Sequence, residues 1–232
     1  MRQRRVAGAA VTAAAVLVLG SGVAGCEPTT VGAGETPGPT GKKPASQHQA
    51  GKAEVSKARR ELSGLRIAPE GSQSGYARTK FGQAWKDVDH NGCDTRNDIL
   101  SRDLKSIKKR GRCVVIGGEL QDPYTGKAIH FVKADASEVQ IDHVYPLALA
   151  WRDGAKSWPE TEREQFANDP GNLLAVWGRP NQQKSDKGPA EWKPQKSFQC
   201  TYAVKFIGVA DKYKLSVTSA DHDALQDFLA LC

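Results

Sequence analysis

The first 52 residues of this chain cannot supply a folded core, so any compact structure must come from the remainder. Val6 to Leu19 is an apolar run too short for a membrane-spanning helix, which needs roughly 18 residues or more. Residues 26–52 are rich in Pro, Gly, Thr and Ser and have almost no large apolar side chains, which predicts a flexible tether. About 180 residues remain, enough for one domain over residues 53–232.

The amino terminus has the features of an export signal. Three arginines precede the apolar run, and small residues lead to the string Val23 to Cys26. This Val-Ala-Gly-Cys string resembles a bacterial lipobox, which implies a lipoprotein signal peptide over residues 1–25 and a lipid on Cys26. The expected location is extracytoplasmic, with the chain anchored to the cell membrane through that lipid. Plain secretory cleavage, which would release the protein, is the main alternative, and an uncleaved anchor is a weaker one.

The charge distribution is weak evidence for a polyanionic partner. The formal net charge of +7 includes the three arginines of the signal peptide, which leaves about +4 on the mature chain. Residues 101–112 and Arg179 to Lys196 concentrate the remaining cations. The first stretch is interpreted either as one solvated face of a helix or as a surface for a polyanion.

Four cysteines remain once Cys26 is assigned to a lipid. They are Cys93, Cys113, Cys200 and Cys232. An even number of cysteines outside the cytoplasm predicts disulfides, and four cysteines allow three connectivities. We favour Cys93–Cys113 and Cys200–Cys232, because each of these pairs brackets one helical pattern. Zinc binding is a poor alternative, since no two of them have the spacing of a zinc knuckle.

Hydrophobic periodicity and turn residues predict a mixture of helices and strands. Helices are expected at 53–65, 147–151, 159–166, 198–209 and 219–230. Strands are expected at 113–116, 128–132, 139–141 and 173–176, the first two flanking a turn at 122–126. A further helix, capped by Asp94 or Thr95, is expected to bury Leu100, Leu104 and Ile107 and to stop at Gly111. The predicted class is α+β.

One cluster of polar residues has the composition of a catalytic site. Asp142 and His143 directly follow a predicted strand, where a carboxylate can bind a hard divalent cation and an imidazole can accept a proton near neutral pH. Asn172 and Asn181 lie further on, separated by a short apolar strand and a turn. An amide oxygen can also bind Mg²⁺.

The strings around these residues resemble one nuclease family. They are Ile141-Asp142-His143-Val144-Tyr145-Pro146-Leu147, Asn172-Leu173-Leu174 and Asn181-Gln182-Gln183-Lys184-Ser185-Asp186, with Phe81 to Trp85, Asp89 to Asp98 and Asp122 to Gly126 upstream. They resemble the HNH (ββα-metal) endonucleases, and most closely the branch that shares the C-terminal domain of GmrSD-type restriction enzymes. The resemblance covers about residues 75–232. It implies a ββα-metal catalytic core embedded in a single helix-rich domain with disulfides.

The resemblance implies a role for each matching residue. His143 corresponds to the general base that activates water, and Asn172 to the asparagine that holds the loop bearing this base. Asp142 and Asn181 correspond to metal ligands, with asparagine in place of the histidine of the family pattern at the last position. An all-oxygen ligand set favours one Mg²⁺ or Mn²⁺ over Zn²⁺. The long segment between His143 and Asn172 is expected to form a helical excursion between the two strands.

Two cations are candidates for binding the substrate. Lys184 lies one helical turn beyond Asn181, where an ammonium group can hold a phosphate. A solvent-exposed lysine without a partner is the alternative. Arg96, in the family-like Cys-Asp-Thr-Arg string, is interpreted either as a phosphate contact or as part of an ion pair that orients the disulfide loop.

A second metal site is a minority hypothesis. Asp87, Asp89, Asn91, Gly92 and Asp98 match the spacing of a calcium-binding EF-hand loop. The eighth position of this loop, usually aliphatic, is an aspartate here, which weakens the match. Structural Ca²⁺ at Asp87, Asp89, Asn91 and Asp98 is therefore the less favoured interpretation.

The predicted function is metal-dependent endonucleolytic hydrolysis of DNA, or also of RNA, outside the cytoplasm and without strong sequence specificity. The partners expected are a nucleic-acid substrate and, through Cys26, a membrane, and no obligate protein partner is evident. A catalytically inactive surface binding protein on the same scaffold is one alternative. A phosphodiesterase for a substrate other than nucleic acid is another.

Overall fold

The computed structural model describes residues 49–232. The predicted signal peptide, Cys26 and all but the end of the tether lie outside the described residues. The α-helices of the described part are α1 Lys52–Gly64, α2 Thr95–Asp103, α3 Leu147–Asp153, α4 Glu160–Ala167, α5 Gly178–Lys184, α6 Lys196–Lys212 and α7 Ser219–Ala230. The strands are β1 Lys105–Arg110, β2 Val114–Gln121, β3 Ala128–Val132, β4 Val139–His143 and β5 Leu173–Trp177. This mixture confirms the predicted α+β class.

The strands form two antiparallel sheets. β1, β2 and β3 form the first sheet in that order. β4 pairs with β5 in the second sheet, with Asp142 opposite Leu174 and His143 opposite Leu173. α5 follows β5 without a loop, so two antiparallel strands and a helix form the ββα unit that the resemblance implies. α3 and α4 lie between β4 and β5 in the chain, which confirms the helical excursion.

The β4–β5 sheet is buried on both of its faces. Side chains of a strand alternate between faces, and the two faces of this sheet enter different hydrophobic clusters. Val139, Ile141 and Leu173 pack in a cluster with residues of α2, β2 and β3. Leu174 and Val176 pack in the larger cluster, which contains α6 and α7. The strand ends that bear the predicted site are therefore fixed by packing from both sides.

The segment that follows α2 differs from the prediction. Asp94 caps α2, as expected, by accepting a hydrogen bond from the backbone N–H of Asn97. The helix ends at Asp103, however, and does not continue to Ile107 and Gly111. Residues Lys105–Arg110 form strand β1, and all six of them are exposed. Pairing with β2 outweighs the helical spacing of Leu100, Leu104 and Ile107, so the predicted basic helix face is an exposed basic strand.

Both predicted disulfides are confirmed. Cys93–Cys113 joins the loop before α2 to the residue before β2. Cys200–Cys232 joins α6 to the carboxyl terminus. These bonds use all four cysteines of the described part, which excludes the alternative zinc site. Within residues 49–232, no helix is both long enough and apolar enough to cross a membrane.

Candidate active site

A cavity of about 570 Å³ lies against the end of β4. Asp142, His143 and Asn181 line it, as does Arg96 from α2. Arg78, from a short 3₁₀ helix at Arg78–Phe81, forms another part of the wall. The fold thus brings four of the six predicted site residues to one cavity.

His143 is held by a backbone carbonyl. Its Nε2 lies 2.8 Å from the carbonyl oxygen of Ala167, the last residue of α4. Because a carbonyl oxygen only accepts hydrogen bonds, Nε2 carries the proton, and Nδ1 holds the lone pair of the neutral ring. The pKa of His143 is lowered to about 3, mainly by burial and also by the positive charges of Arg78 and Lys184, although the hydrogen bond to Ala167 acts to raise it. The imidazole is therefore neutral at physiological pH and has one nitrogen available as a base.

Asn172 fastens the loop that follows His143. It is fully buried, and its Oδ1 accepts a hydrogen bond of 2.8 Å from the backbone N–H of Tyr145. Its Nδ2 donates to the carbonyl oxygen of Tyr145 at 3.2 Å, and its own carbonyl accepts from Val144 at 2.8 Å. Two polar groups of one backbone residue are thus held by one side chain. This geometry is the one that the predicted holding role requires.

Asp142 lies between two buried partners. Its Oδ2 accepts a hydrogen bond from the hydroxyl of Tyr124 and lies 2.9 Å from the Nζ of Lys184. Burial raises the pKa of Asp142, although Lys184 and Tyr124 both act to lower it. The carboxylate therefore lies where its negative charge is only partly compensated. Additional positive charge at this point would stabilise its ionised form.

Lys184 does not lie where the sequence-based hypothesis requires. Its side chain is 0 % exposed, and its Nζ also donates to the carbonyl oxygen of His143 at 2.8 Å. An ammonium group enclosed in this way has no access to a substrate phosphate. The predicted substrate contact is therefore replaced by a structural one, in which Lys184 fixes both residues of the Asp142–His143 pair.

Arg96 also has structural contacts. Its Nη2 donates to the carbonyl oxygen of Val139 at 3.0 Å and to that of Ala136 at 3.3 Å. These bonds fasten α2 to the beginning of β4. Arg96 lines the cavity, but part of its hydrogen-bonding capacity is used within the protein.

Asn181 is the second of the two predicted metal ligands. Its Nδ2 donates to Oε1 of Gln140 at 2.9 Å, which leaves its amide oxygen as the atom suited to a cation. Asn181 and the partly compensated Asp142 line the same cavity, so this donor set fits a hard divalent ion. Within residues 49–232, no group of three or more His, Cys, Asp or Glu is arranged to hold a metal. Mg²⁺ does not need such a group, because it binds through one or two carboxylates together with water and substrate phosphates.

Asp87, Asp89, Asn91 and Gly92 of the EF-hand pattern lie in the loop before α2, and Asp98 lies in the first turn of that helix. Asp87 accepts hydrogen bonds from the backbone N–H groups of Asn91 and Gly92, and Asp89 also accepts from Asn91. Burial and the nearby carboxylates raise the pKa of Asp98. The loop thus closes through its own hydrogen bonds, and calcium binding stays a prediction.

Three residues of the site were not identified from the sequence. Tyr124 belongs to the turn before β3, and Gln140 lies on β4 two residues before Asp142. The family-like string that includes Tyr124 pointed to a turn and gave no signal for its contact with Asp142. Arg78 lies outside every string that suggested the site.

Comparison with known proteins identifies the family. The family described as GmrSD restriction endonucleases, C-terminal domain, matches residues 93–228. This is more than half of the chain. The chain belongs to the GmrSD C-terminal domain family. The match includes Arg96, Asp142, His143, Asn172 and Asn181, whereas Arg78 precedes it.

A fungal relative extends the similarity. An uncharacterized secreted protein of Arthroderma benhamiae is 43% identical over 174 residues, which cover 74% of this chain and 82% of the relative. No solved structure matches the chain. The GmrSD C-terminal domain family therefore supports a nuclease-related function for this domain, and the relative is described as secreted.

Proposed function

We propose that this protein is a metal-dependent endonuclease that hydrolyses phosphodiester bonds of DNA, with RNA as a further substrate to be tested. The observation that supports this most is the state of His143. It is neutral, its Nε2 is held by the carbonyl of Ala167, and it lines the cavity together with Asp142 and Asn181. A base of known tautomer beside an oxygen-rich cation site has the composition needed for hydrolysis of a phosphodiester.

His143 is proposed to accept the proton of the attacking water at Nδ1. The Ala167 carbonyl stabilises the imidazolium that results, because it accepts the hydrogen bond from Nε2 in both charge states. Asn172 keeps the loop after His143 in place during this step. Asp142 and Asn181 would hold one Mg²⁺ or Mn²⁺. When bound, this ion supplies Lewis-acid polarisation of the phosphate and charge stabilisation at the leaving oxygen.

We further propose an extracytoplasmic location, with the lipid on Cys26 as anchor. Two observations support export. The relative from Arthroderma benhamiae is described as a secreted protein, and the chain forms two disulfides, which persist in oxidising environments outside the cytoplasm. The described residues form one compact unit, and we propose that this unit cleaves without strong sequence specificity.

A plasmid-nicking assay with Mg²⁺, Mn²⁺ or EDTA tests the proposal. We expect cleavage with either metal and none with EDTA. His143→Ala should lose about 10²–10⁴-fold in rate, because that is the usual contribution of a general base. His130→Ala is the matched control, since His130 is an exposed histidine on β3 that pairs with Glu119.

Three outcomes would contradict this proposal. Full activity of His143→Ala would exclude the assigned base. Absence of cleavage with every metal, on plasmid DNA, RNA and bis-p-nitrophenyl phosphate alike, would favour a binding protein on a nuclease scaffold. Cleavage of the small ester alone would indicate a substrate other than nucleic acid.

A further inference from the structure

The cations near the cavity differ in how much of their hydrogen-bonding capacity is free. Lys184 is enclosed, and Arg96 donates to two backbone carbonyls. Arg152, whose partner Asp186 lines the cavity, binds both Glu70 and Asp186. Arg78 is exposed and, within residues 49–232, its side chain forms no hydrogen bond or ion pair. Of the arginines that line this cavity, Arg78 is the one whose guanidinium forms no hydrogen bond within residues 49–232.

The backbone around Arg78 is held firmly. Phe81, the last residue of its short helix, is 2% exposed and packs against Phe166 and Trp151. Arg163 of α4 donates to the carbonyl oxygen of Lys80 at 2.7 Å. The short helix is thereby attached to α4, the same helix whose last carbonyl holds His143. A fixed backbone limits the positions that the Arg78 guanidinium can reach.

The charge of Arg78 acts on the catalytic base. Arg78 and His143 line two cavities together, the large one and a small one of about 30 Å³ beside it. After burial, Arg78 is the largest of the influences that lower the pKa of His143. Asp186 also lines the large cavity, and Arg152 already neutralises it at 2.8 Å, whereas Asp142 is paired with Lys184. The guanidinium therefore stays available for an anion that enters beside His143.

We infer that Arg78 binds a non-bridging oxygen of the substrate phosphate that is presented to His143. This inference rests on the proposed function of the same cavity and names the residue that recognises the phosphodiester. A guanidinium donates two parallel hydrogen bonds to phosphate oxygens and stays charged at any pH of interest. Arg78 precedes the segment that matches the family, so this contact comes from the part of the chain outside the match.

Steady-state cleavage of a duplex oligonucleotide by Arg78→Ala and Arg78→Lys tests the inference. We expect Arg78→Ala to lower kcat/KM by about 10- to 100-fold, which corresponds to the usual strength of a hydrogen bond to a charged group. Arg78→Lys should recover part of this loss, since it restores the charge without the bidentate geometry. Lys80→Ala is the matched control, because it removes one positive charge from the same short helix at a position that does not line the cavity.

The salt dependence separates a phosphate contact from a structural role. Each neutralised phosphate of duplex DNA contributes about 0.9 to the slope of log affinity against log salt concentration. Arg78→Ala should therefore reduce the slope for log KM by about one, and Lys80→Ala should leave it unchanged. Equal slopes and equal kcat/KM in wild type and Arg78→Ala would overturn the inference. So would an Arg78→Ala loss that appears together with a lowered melting midpoint and an unchanged slope.

Binding distinguishes failure of this inference from failure of the proposed function. If the wild-type chain cleaves nothing, fluorescence anisotropy of a labelled duplex in EDTA still measures the contact. Weaker binding of Arg78→Ala, with Lys80→Ala unaffected, would support the phosphate contact on a non-cleaving protein. Binding equal to wild type would refute it.

Discussion

The two sheets of this domain differ in how they hold their polar residues. β4 and β5 are buried on both faces, and Asp142 and His143 at the end of β4 are each bonded to a buried partner. β1 lies at the edge of the other sheet with all six residues exposed. The polar residues of β1 include three lysines and an arginine.

This difference indicates what each sheet contributes. Proton transfer requires a base within hydrogen-bond reach of its target, so a base that packing already holds in place is favourable. Attraction of a polyanion needs only positive charge near its backbone, and exposed lysines supply this without fixed geometry. Substitutions in the β4–β5 sheet should therefore alter stability and turnover, whereas those in β1 should alter salt-dependent binding.

The largest effect is expected from Lys184→Met. The Asp142 carboxylate would stay buried without its cation, which should lower the free energy of unfolding by about 3–5 kcal/mol. Urea denaturation at pH 7 measures this loss. The double variant Lys184→Met/Asp142→Asn removes both charges and should regain most of the stability. If it is as unstable as the single variant, the lysine contributes packing and not charge.

Asn172→Ala should have the next largest effect. It would leave the buried N–H and C=O of Tyr145 without partners, at a cost of roughly 2–4 kcal/mol. Asn181→Ala removes one hydrogen bond of a half-buried side chain and should cost less than about 1 kcal/mol. Thermal unfolding of both variants gives the comparison. If both variants lose a similar amount of stability, Asn172 holds the loop after His143 no more strongly than Asn181 holds the rim of the cavity.

Asp153, which lies at the end of α3 and outside both sheets, is expected to make the free energy of unfolding depend on pH. Burial raises its pKa to about 7, although the hydroxyl of Tyr145 donates to it at 2.6 Å. Since the folded pKa lies above the unfolded value, near 4, the folded state binds more protons between these two values. Asp153 therefore contributes stability that is fully present below pH 4 and is lost as the pH rises through about 7.

The size of this dependence is limited to about 1.4 kcal/mol per pH unit for one group. His143, whose folded pKa is lowered to about 3, contributes stability that is lost as the pH falls below about 6.5, which is the opposite direction. The difference between wild type and Asp153→Asn isolates the aspartate. This difference should change steadily from pH 4 to pH 7, and a constant difference would contradict the raised pKa.

The smallest effect on stability is expected in β1. Replacing Lys105, Lys108 and Lys109 by glutamine should change the free energy of unfolding by less than about 0.5 kcal/mol, since all three are exposed. The slope of log affinity for duplex DNA against log salt should fall by between about one and three. A control variant replaces the exposed Lys52, Lys57 and Lys156 by glutamine. It removes the same net charge from positions outside β1, so the comparison shows whether the location of the lysines matters. Equal effects of both variants would show that β1 has no special role in binding.

The sequence predicted the fold best where the signals are local or covalent. Asp94 as the cap of α2, the strand at Ala128–Val132 and both disulfides agree with the structure. β1 could not be predicted, because Lys105–Arg110 becomes a strand only through pairing with β2. Local spacing favoured a helix there, and a non-local contact decided the outcome.

The candidate site shows the same limit. A strand followed by an Asp-His pair pointed to His143 as the proposed base, and the side chain of Asn172 holds the backbone of Tyr145 in the loop after it. The burial of Lys184 was not predictable, because lysine is almost always exposed unless it is paired. Its partner Asp142 lies 42 residues earlier in the chain. The free guanidinium of Arg78 likewise becomes meaningful only once the folded chain places it beside His143.

The bond between His143 and Ala167 has a consequence for mutational scanning. The group that selects the protonated nitrogen of His143, the proposed base, is a main-chain oxygen at the end of α4, so no side-chain replacement deletes it. A scan of the whole chain would score position 167 by its small apolar side chain and would miss its part in tautomer selection. Only a change that displaces the end of α4, or a backbone ester at that peptide, would reveal it.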